Sequence, residues 1–344
     1  MATSGQRTFK RNAHINYFLR CLGALPASAE GHDSNRITIA YFCLSGLDLL
    51  GALEKKTTEE QRKGWVEWIW SLQAPEGGFR GSTYMTTSNP ETSPGHLPST
   101  YTALLCLAIL RAPLDRLNRP GLKAFLRRCQ APDGSFSPLP RTSSSHTTDF
   151  QSDLRMTYCA VVIADILKDV SAFDRSSCIS FMNQCRTWEG AYASRAGVTE
   201  AQGGTTYCAV ASLSLLQPDT PNREDTIRWS TQRQLGGFQG RPGKLQDVCY
   251  SFWIGAALGI LGQPDLLDST LNTAFLLSAQ SPLGGFGKEP DDYPDPYHSY
   301  LALAALALTP DPDLDLKPLD ARWNISRDTA DWLREEIREQ SLDT

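Results

Sequence analysis

The segment LGGFQGRPGKLQDVCYSFWIGAALGIL, residues 235–261, contains one full unit of the pattern that decides the fold. A glycine turn ending in Phe238 comes first, a short polar stretch follows, and a long apolar run completes the unit. The turn recurs at intervals of 46 to 57 residues, as EGGF at Phe79, DGSF at Phe136, EGAY at Tyr192 and LGGF at Phe286. Self-similarity at such a period indicates a repeat protein.

Each glycine turn separates two helical segments of different character. The segment before a turn is amphipathic, as in RKGWVEWIWSLQ (62–73), and the one after it is apolar on nearly all sides, as in TYTALLCLAIL (100–110). A helix that is apolar all round must be buried, and one with a charged face lies outside. A sixth apolar segment, RITIAYFCLSGLDLL (36–50), opens the series without an evident partner. We therefore predict an all-α fold, an α-α barrel (toroid) of six inner and about six outer helices.

The two ends of the chain and one loop depart from the repeat. We expect residues 1–13 to form a flexible N-terminus and residues 14–344 to form a single barrel domain. The loop SPLPRTSSSHTTDF (137–150) is an insertion that we expect to be mobile. The polar tail predicts one last helix over ARWNISRDTADWLREEI (321–337), in which the sequon-like triplet at Asn324 occurs by chance.

Composition excludes several classes of protein. With 41% hydrophobic residues, 21% charged residues and a net charge of -5, the chain has enough apolar residues for a large core and no excess of positive charge for coating nucleic acid. No apolar run reaches the ~18 residues of a spanning helix, and the N-terminus lacks a signal-peptide pattern. Nine cysteines without a C-x-x-C pair indicate reduced thiols. We therefore expect a cytoplasmic protein.

Three side chains at the starts of apolar helices form a candidate metal site. Asp247 and Cys249 precede one inner helix, and His298 begins the next one. In a ring of parallel inner helices, equal register means the same end of the barrel. Oxygen, sulfur and nitrogen ligands suit zinc, and three protein ligands leave a tetrahedral zinc with one open position for chemistry. Taken singly, each of these residues is more often a capped or solvated side chain, so it is their convergence that favours the site.

An anion pocket is predicted beside this metal site. Arg241 and Lys244 supply two positive charges and Tyr250 supplies a phenol donor, which together suit a diphosphate. The Asp295-Pro296 pair is typical of a helix start, and Asp247 is well placed to cap its own helix. The positive ends of both helices would favour a thiolate and a bound diphosphate. The combination indicates a metal-bound nucleophile that attacks a phosphorylated carbon.

These motifs closely resemble the β-subunits of protein prenyltransferases, along nearly the whole chain. The most specific matches are RPGKLQDVCYSFW (241–253), DPYH (295–298) and the GGF turns. Within that family, RITIAYFCLSGLDLL, GGFRGSTY and GHLPSTYTAL are most similar to protein geranylgeranyltransferase type I. The resemblance implies an obligate helical α-subunit, one Zn²⁺ per β-subunit and geranylgeranyl diphosphate as the lipid donor. It also implies protein substrates ending in Cys-a-a-X, with X mainly Leu, such as Rho-type small GTPases, whose cysteine becomes a thioether.

The resemblance also implies roles for single residues. The metal ligands would be Asp247, Cys249 and His298, which with Tyr250 form the catalytic group. Residues at the diphosphate would be Arg241, Lys244, Tyr250, Lys288 and Gln202, completed by a lysine of the α-subunit. Residues along the lipid would be Thr38, Phe42, Tyr158, Arg155, Thr205, Cys208 and Trp253. Residues at the peptide would be His96, Arg155 and Tyr297.

Two positions, Thr38 and Lys288, separate the subtypes within the family, and two others, Gln202 and Tyr297, depart from the expected pattern. Thr38 stands where farnesyltransferases carry a Trp that closes the lipid tunnel, so a longer lipid would fit. Lys288 stands where the farnesyl and Rab-type enzymes carry an Asp, associated in the farnesyl enzyme with magnesium, which predicts that Mg²⁺ is not required. Gln202 replaces a His, so a neutral donor would serve at the diphosphate. Tyr297 matches the farnesyl enzyme, which predicts a relaxed preference for X.

Other functions compete with this interpretation. Within the family, the alternatives are a farnesyltransferase β-subunit and then a Rab-type β-subunit. Terpene cyclases share the α-α barrel, but they need an acidic cluster such as DxDD, which this sequence does not contain. A non-catalytic helical-repeat interaction scaffold is the third possibility, and such a protein has no reason to hold stoichiometric zinc.

Overall fold

The computed structural model describes residues 8–85, 94–141, 152–217, 223–309 and 311–342. Its α-helices are α1 (Arg11–Gly23), α2 (Arg36–Leu49), α3 (Leu53–Lys56), α4 (Glu59–Ser71), α5 (Leu97–Ile109), α6 (Arg119–Cys129), α7 (Leu154–Leu167), α8 (Arg175–Gln184), α9 (Gly203–Leu216), α10 (Glu224–Thr231), α11 (Val248–Ile260), α12 (Ser269–Ser278), α13 (Pro296–Leu308) and α14 (Arg327–Leu342). Two short strands, β1 (Leu319–Asp320) and β2 (Ile325–Ser326), pair antiparallel.

Six inner helices pack side by side in a closed ring, in the order α2, α5, α7, α9, α11 and α13, and α13 returns to α2. Their side chains are buried almost throughout because each helix faces two neighbours and the lumen. Outside this ring, α1, α4, α6, α8, α10 and α12 form the outer layer within the described ranges. The predicted α-α barrel is confirmed. The expectation of an unpartnered first inner helix is wrong, because α1 packs against α2.

A recurring hydrogen bond sets the register of the inner helices. In three repeats, the backbone N–H of the turn aromatic donates to a hydroxyl in the first turns of the next inner helix. The pairs are Phe79 with Thr100 (2.8 Å), Tyr192 with Thr206 (3.1 Å) and Phe286 with Ser299 (2.9 Å). All three aromatic rings are buried. Each turn is therefore joined to the barrel end at which the inner helices begin.

The turn glycines are required by close packing. Gly77 has a φ of +100°, and a Cβ there would lie 2.1 Å from the carbonyl oxygen of Gly121 at the start of α6. A side chain would meet both backbone strain and a clash with backbone atoms. The glycine turn thus allows one repeat to touch the outer helix of the next.

The first helix closes the outer layer through a buried histidine. His14 lies in α1, where its Nδ1 accepts from the backbone N–H of Gly285 (3.0 Å) and its Nε2 pairs with the side-chain oxygen of Gln280 (3.1 Å). Lys10 also donates its backbone N–H to Gln280 (2.9 Å). The helix begins at Arg11, inside the segment expected to be flexible, and residues 1–7 of that segment lie outside the described residues.

We expect His14 to make folding sensitive to acid. Burial lowers its pKa from 6.5 to about 4. Between these values the unfolded chain binds a proton that the folded chain does not, so stability falls as pH falls. At pH 5 the penalty is about 2 kcal/mol. Urea unfolding at pH 7 and pH 5 should show a loss that His14→Gln removes and that the control His32→Gln, at an exposed position, leaves in place. An identical loss in His14→Gln would contradict the assignment.

The C-terminal hairpin occupies the lumen. Five phenols from five inner helices donate to the carbonyl oxygens of four consecutive residues, 321–324. The pairs are Tyr207 with Ala321 (2.8 Å), Tyr158 with Arg322 (3.0 Å), Tyr101 with Trp323 (3.0 Å), and Tyr41 and Tyr300 with Asn324 (2.5 Å each). The expectation of a helix over residues 321–337 is wrong at its start, because α14 begins only at Arg327. The carbonyls of residues 321–324 find phenol donors in the lumen, and the segment bends into the β1–β2 hairpin.

The hairpin enters the barrel from the end at which the inner helices finish. Asp48, near the C-terminal end of α2, is buried and accepts from the amine of Lys317 (2.6 Å) and the hydroxyl of Thr329 (2.8 Å). The indole of Trp323 donates to Asp165, near the C-terminal end of α7 (2.9 Å). These bonds close one end of the lumen and leave the end with the helix starts open.

Two further expectations concern membrane-spanning helices and the inserted loop. Within the described ranges, no helix combines the length and the apolar character needed to cross a membrane. The expected mobile insertion over residues 137–150 falls mainly on 142–150, which lie outside the described residues.

Candidate metal centre and cavity

The three predicted metal ligands meet at the open end of the barrel. One ligand atom from each of Asp247, Cys249 and His298 lies within 4.8 Å of the others. Neighbouring inner helices supply them, since Asp247 and Cys249 stand at the start of α11 and His298 in the first turn of α13. Asp247 caps its own helix by accepting the backbone N–H of Cys249 (2.9 Å), as the sequence predicts.

A second carboxylate orients the histidine. Asp295 caps α13 by accepting the backbone N–H of His298 (2.9 Å), and its other oxygen lies 2.6 Å from Nδ1 of the same ring. The Nδ1 proton is held by this carboxylate, so the lone pair of Nε2 faces Asp247, 3.5 Å away. Asp295 was expected only to begin the helix, although the spacing Asp-x-x-His already allowed both contacts.

Burial and charge at the site favour the protonated form of Cys249. Burial raises the pKa of the Cys249 thiol well above its ordinary value, and the neighbouring Asp247 carboxylate raises it further. Cys249 is therefore a neutral thiol unless positive charge offsets both effects. The side chains of Asp247 and His298 are 13% and 16% exposed, so an ion would be largely shielded from water. The donor set fits Zn²⁺, and in the described part of the chain the cluster has three members, as expected of an open catalytic site.

A cavity of about 520 Å³ lies beside this cluster in the lumen. Its lining residues are Thr38, Tyr41, Phe42, Pro98, Tyr101, Thr102, Arg155, Met156, Tyr158, Cys159, Gln202, Gly204, Thr205, Cys208, Tyr250, Trp253, Tyr297 and Asn324. All seven positions that the sequence analysis assigned to a lipid are in this set. The aromatic rings give it an apolar wall, and Asn324 of the hairpin belongs to its floor. Asn324 was missed because only the tertiary structure brings the tail into the lumen.

The predicted anion-binding residues fall into two groups. Tyr250 and Gln202 line the cavity, and the side-chain amide of Gln202 donates to the phenol oxygen at 2.5 Å. Arg241, Lys244 and Lys288 are not part of the lining. Arg241 forms an ion pair with Glu200.

The two lysines have side chains that are exposed to solvent. Lys244 and Lys288 are exposed, and within the described residues neither ammonium forms an ion pair. The carbonyl of Lys288 accepts the backbone N–H of Val248 (2.9 Å), which places Lys288 next to the start of α11. Burial, followed by the electrostatic effect of the neighbouring Cys249 and Asp247, raises the pKa of Tyr250 to about 12. Its phenol therefore remains a donor at neutral pH.

The three predicted peptide contacts divide in the same way. Arg155 and Tyr297 line the cavity, whereas His96 is not part of the lining and pairs with the hydroxyl of Ser99 (3.1 Å). Arg155 is anchored by an ion pair with the buried Asp153 (2.6 Å) while its side chain stays 68% exposed. It therefore stands between solvent and cavity with a fixed guanidinium.

Comparison with known proteins agrees with this architecture. Residues 9–325 match the family described as the prenyltransferase alpha-alpha toroid domain. Geranylgeranyl transferase type-1 subunit beta of Arabidopsis thaliana is 33% identical over 308 residues, covering 81% of this chain and 79% of the relative. The protein of the same name from Dictyostelium discoideum is 35% identical over 292 residues, covering 77% and 80%. The farnesyltransferase subunit beta of Schizosaccharomyces pombe is 31% identical over 260 residues, covering 73% and 62%.

Solved structures give the same result. The Candida albicans protein geranylgeranyltransferase-I complexed with GGPP superposes with a TM-score of 0.88 at 31% identity, over 96% of this chain and 99% of that chain. A type II terpene cyclase from Scytonema has a TM-score of 0.52 at 14% identity, over 86% and 96%, which shows a shared fold alone. Similarity that extends over nearly the whole barrel shows that this chain belongs to the prenyltransferase alpha-alpha toroid family.

Proposed function

We propose that the chain is the catalytic β-subunit of a zinc-dependent protein geranylgeranyltransferase type I. The observation that carries this proposal is the convergence of Asp247, Cys249 and His298 within 4.8 Å, beside an aromatic cavity of about 520 Å³. In the reaction, the cysteine sulfur of a Cys-a-a-X protein attacks the first carbon of geranylgeranyl diphosphate. A sulfur–carbon bond forms, the carbon–oxygen bond breaks, and diphosphate leaves with the bonding electron pair.

Each part of the site would contribute separately to this step. Zn²⁺, when bound, supplies the charge that lowers the pKa of the substrate thiol, so that thiolate forms near neutral pH. Asp247, Cys249 and His298 would hold the ion, and Asp295 keeps the imidazole in the required tautomer. Tyr250 would donate a hydrogen bond from its phenol hydroxyl to the leaving diphosphate. The apolar wall would hold the lipid and exclude water from it.

Neutralising the diphosphate would need more positive charge than this chain supplies. Arg241 already shares its guanidinium with Glu200, although four of the five N–H donors of an arginine remain after one such bond. Lys244 and Lys288 project into solvent, where screening weakens them until a partner covers the site. We propose an α-subunit as that partner, contributing a further lysine. All nine cysteines are free, which supports a reducing, cytoplasmic setting.

We further propose that turnover does not require Mg²⁺. The hydrogen bond from the Val248 backbone N–H to the Lys288 carbonyl places the Lys288 backbone beside the start of α11, which carries Asp247 and Cys249, and Lys288 is ten residues before His298 in the sequence. A lysine ammonium beside the leaving diphosphate can neutralise its charge, which is the task of a divalent ion in enzymes that transfer phosphoryl groups. Arg155, Tyr297 and His96 would contact the peptide, and the ring of Tyr297 would set a relaxed preference for X.

The test is a competition assay on the heterodimer. The chain is co-expressed with a prenyltransferase α-subunit and offered equal farnesyl and geranylgeranyl diphosphate, with peptides ending in Cys-a-a-Leu and in Cys-a-a-Ser or Cys-a-a-Met. We expect zinc-dependent transfer of geranylgeranyl to the Leu peptide, preferred by about tenfold or more. Preferred transfer of farnesyl would make the chain a farnesyltransferase subunit. A purified heterodimer without zinc or activity would favour a scaffold, and a rate that rises steeply with Mg²⁺ would remove the role of Lys288.

A further inference from the structure

Both polar atoms of the Gln202 side chain are already used within the chain. Its oxygen accepts the backbone N–H of Thr205 (3.1 Å) and thereby caps α9. Its nitrogen donates to the phenol oxygen of Tyr250 (2.5 Å). Gln202 and Tyr250 both line the cavity, so this hydrogen bond lies at the wall that a bound ligand would touch.

The Tyr250 ring has little freedom to move away from this amide. A Cβ on Gly240 would lie 2.2 Å from a ring atom, and a Cβ on Gly203 would lie 3.0 Å from another. Those two glycines are joined, because the N–H of Gly203 donates to the carbonyl of Gly240 (2.8 Å). The ring therefore packs against bare backbone contributed by two repeats, with Gln202 at its hydroxyl end.

We propose that Gln202 is a positioning residue for Tyr250, and that it acts on the reaction through that phenol and not as a diphosphate ligand. The proposal rests on the proposed function. It assigns which group donates and which group accepts in the hydrogen bond between Gln202 and Tyr250. An amide nitrogen can only donate, so the phenol oxygen accepts from Gln202. The single phenol proton then remains free for a different acceptor.

That acceptor is the oxygen of the breaking carbon–oxygen bond. As sulfur bonds to the lipid carbon, negative charge grows on the departing diphosphate, and a donor already oriented toward it stabilises the transition state more than the ground state. A phenol free to rotate would spend part of its time bonded to another acceptor, such as water. The fixed amide therefore contributes to kcat by keeping the phenol proton directed at the leaving group.

The variant Gln202→Glu distinguishes a role of Gln202 in orienting Tyr250 from a role in stabilising the fold. The carboxylate keeps an oxygen that can cap α9, but it cannot donate, so Tyr250 would turn its proton toward the new residue. We compare wild type, Gln202→Glu, Tyr250→Phe and the double variant as heterodimers, measuring kcat, the KM for geranylgeranyl diphosphate and zinc content. Each single change should lower kcat on the order of 10²-fold with a smaller change in KM. The double variant should be no slower than Tyr250→Phe alone, because the two residues act as one unit.

A second variant removes the added charge as an explanation. Gln202→Met has no donor and no charge, and it should lower kcat in the wild-type background and leave it unchanged beside Tyr250→Phe. Additive losses in the double variants, or a loss expressed mainly in KM, would make Gln202 a direct ligand and overturn the proposal. Loss of zinc or of heterodimer in both variants would overturn it in favour of a structural role. A wild type that transfers no geranylgeranyl would refute the proposed function instead, so the two failures are distinct.

Discussion

Replacing Cys249 or His298 with Ala should abolish transfer to peptide and leave binding of geranylgeranyl diphosphate largely intact. Each change removes one of three ligands whose atoms lie within 4.8 Å of one another. Two remaining ligands do not hold zinc in a catalytic site, and without the ion the substrate cysteine stays protonated. Zinc content by mass spectrometry, lipid binding by a fluorescent analogue and single-turnover transfer would measure the three effects separately.

Two further variants serve as an intermediate case and as a control for that experiment. Asp295→Asn keeps a helix cap but weakens the hold on Nδ1 of His298, so zinc affinity should fall about 10- to 100-fold. Cys106→Ala removes a buried thiol of α5 that does not line the cavity, and it should retain zinc and activity. A zinc-free Cys249→Ala enzyme with full activity would show that the metal assignment is wrong.

Thr38→Trp should shift lipid preference from geranylgeranyl toward farnesyl diphosphate. Thr38 lines the cavity on α2, one turn before Tyr41 and Phe42. A Trp there fills space that the longer lipid would use, and overpacking a filled site costs about 1–3 kcal/mol, or roughly 5- to 150-fold in relative kcat/KM. The farnesyl group is shorter by one isoprene unit and should escape most of that cost.

The matched control for this change is Thr38→Val, which keeps the shape and volume of the side chain. It should leave the ratio of the two lipids unchanged in the competition assay. If Thr38→Trp also leaves that ratio unchanged, then the length limit lies elsewhere on the wall, with Phe42 and Tyr41 as the next candidates.

Local patterns were sufficient to predict the barrel and the convergence of Asp247, Cys249 and His298 at one end of it. Helices such as α5 and α11 are apolar on all sides, and this property alone assigns them to the interior. The caps at Asp247 and Asp295 could be predicted because capping depends on residues two or three positions away. Since both caps begin helices of one ring, Cys249 and His298 had to share an end of the barrel.

The register also explains why two successive ligands can meet. Thr206 and Ser299 bond the turn that precedes each helix, whereas the buried hydroxyl of Ser251 in the first turn of α11 has no hydrogen-bond partner among the described residues. His298 is one residue before Ser299, and Cys249 is two residues before Ser251. Aligning the ligands themselves shifts each helix by one or two positions, which keeps both ligands within the same helical turn.

The amino-acid sequence by itself determined the six inner helices, most of their outer partners, and which side chains stand at the open end. Only the tertiary structure decided where the chain ends pack and how the polar groups of the site pair. The tail at Trp323 and Asn324 has a polar, helix-like pattern, yet four of the five phenols that donate to its backbone carbonyls lie more than a hundred residues away. Gln202 and Tyr250 are likewise 48 residues apart. Such bonds involve backbone groups and neutral side chains with many possible partners, so the folded geometry alone selects the partner.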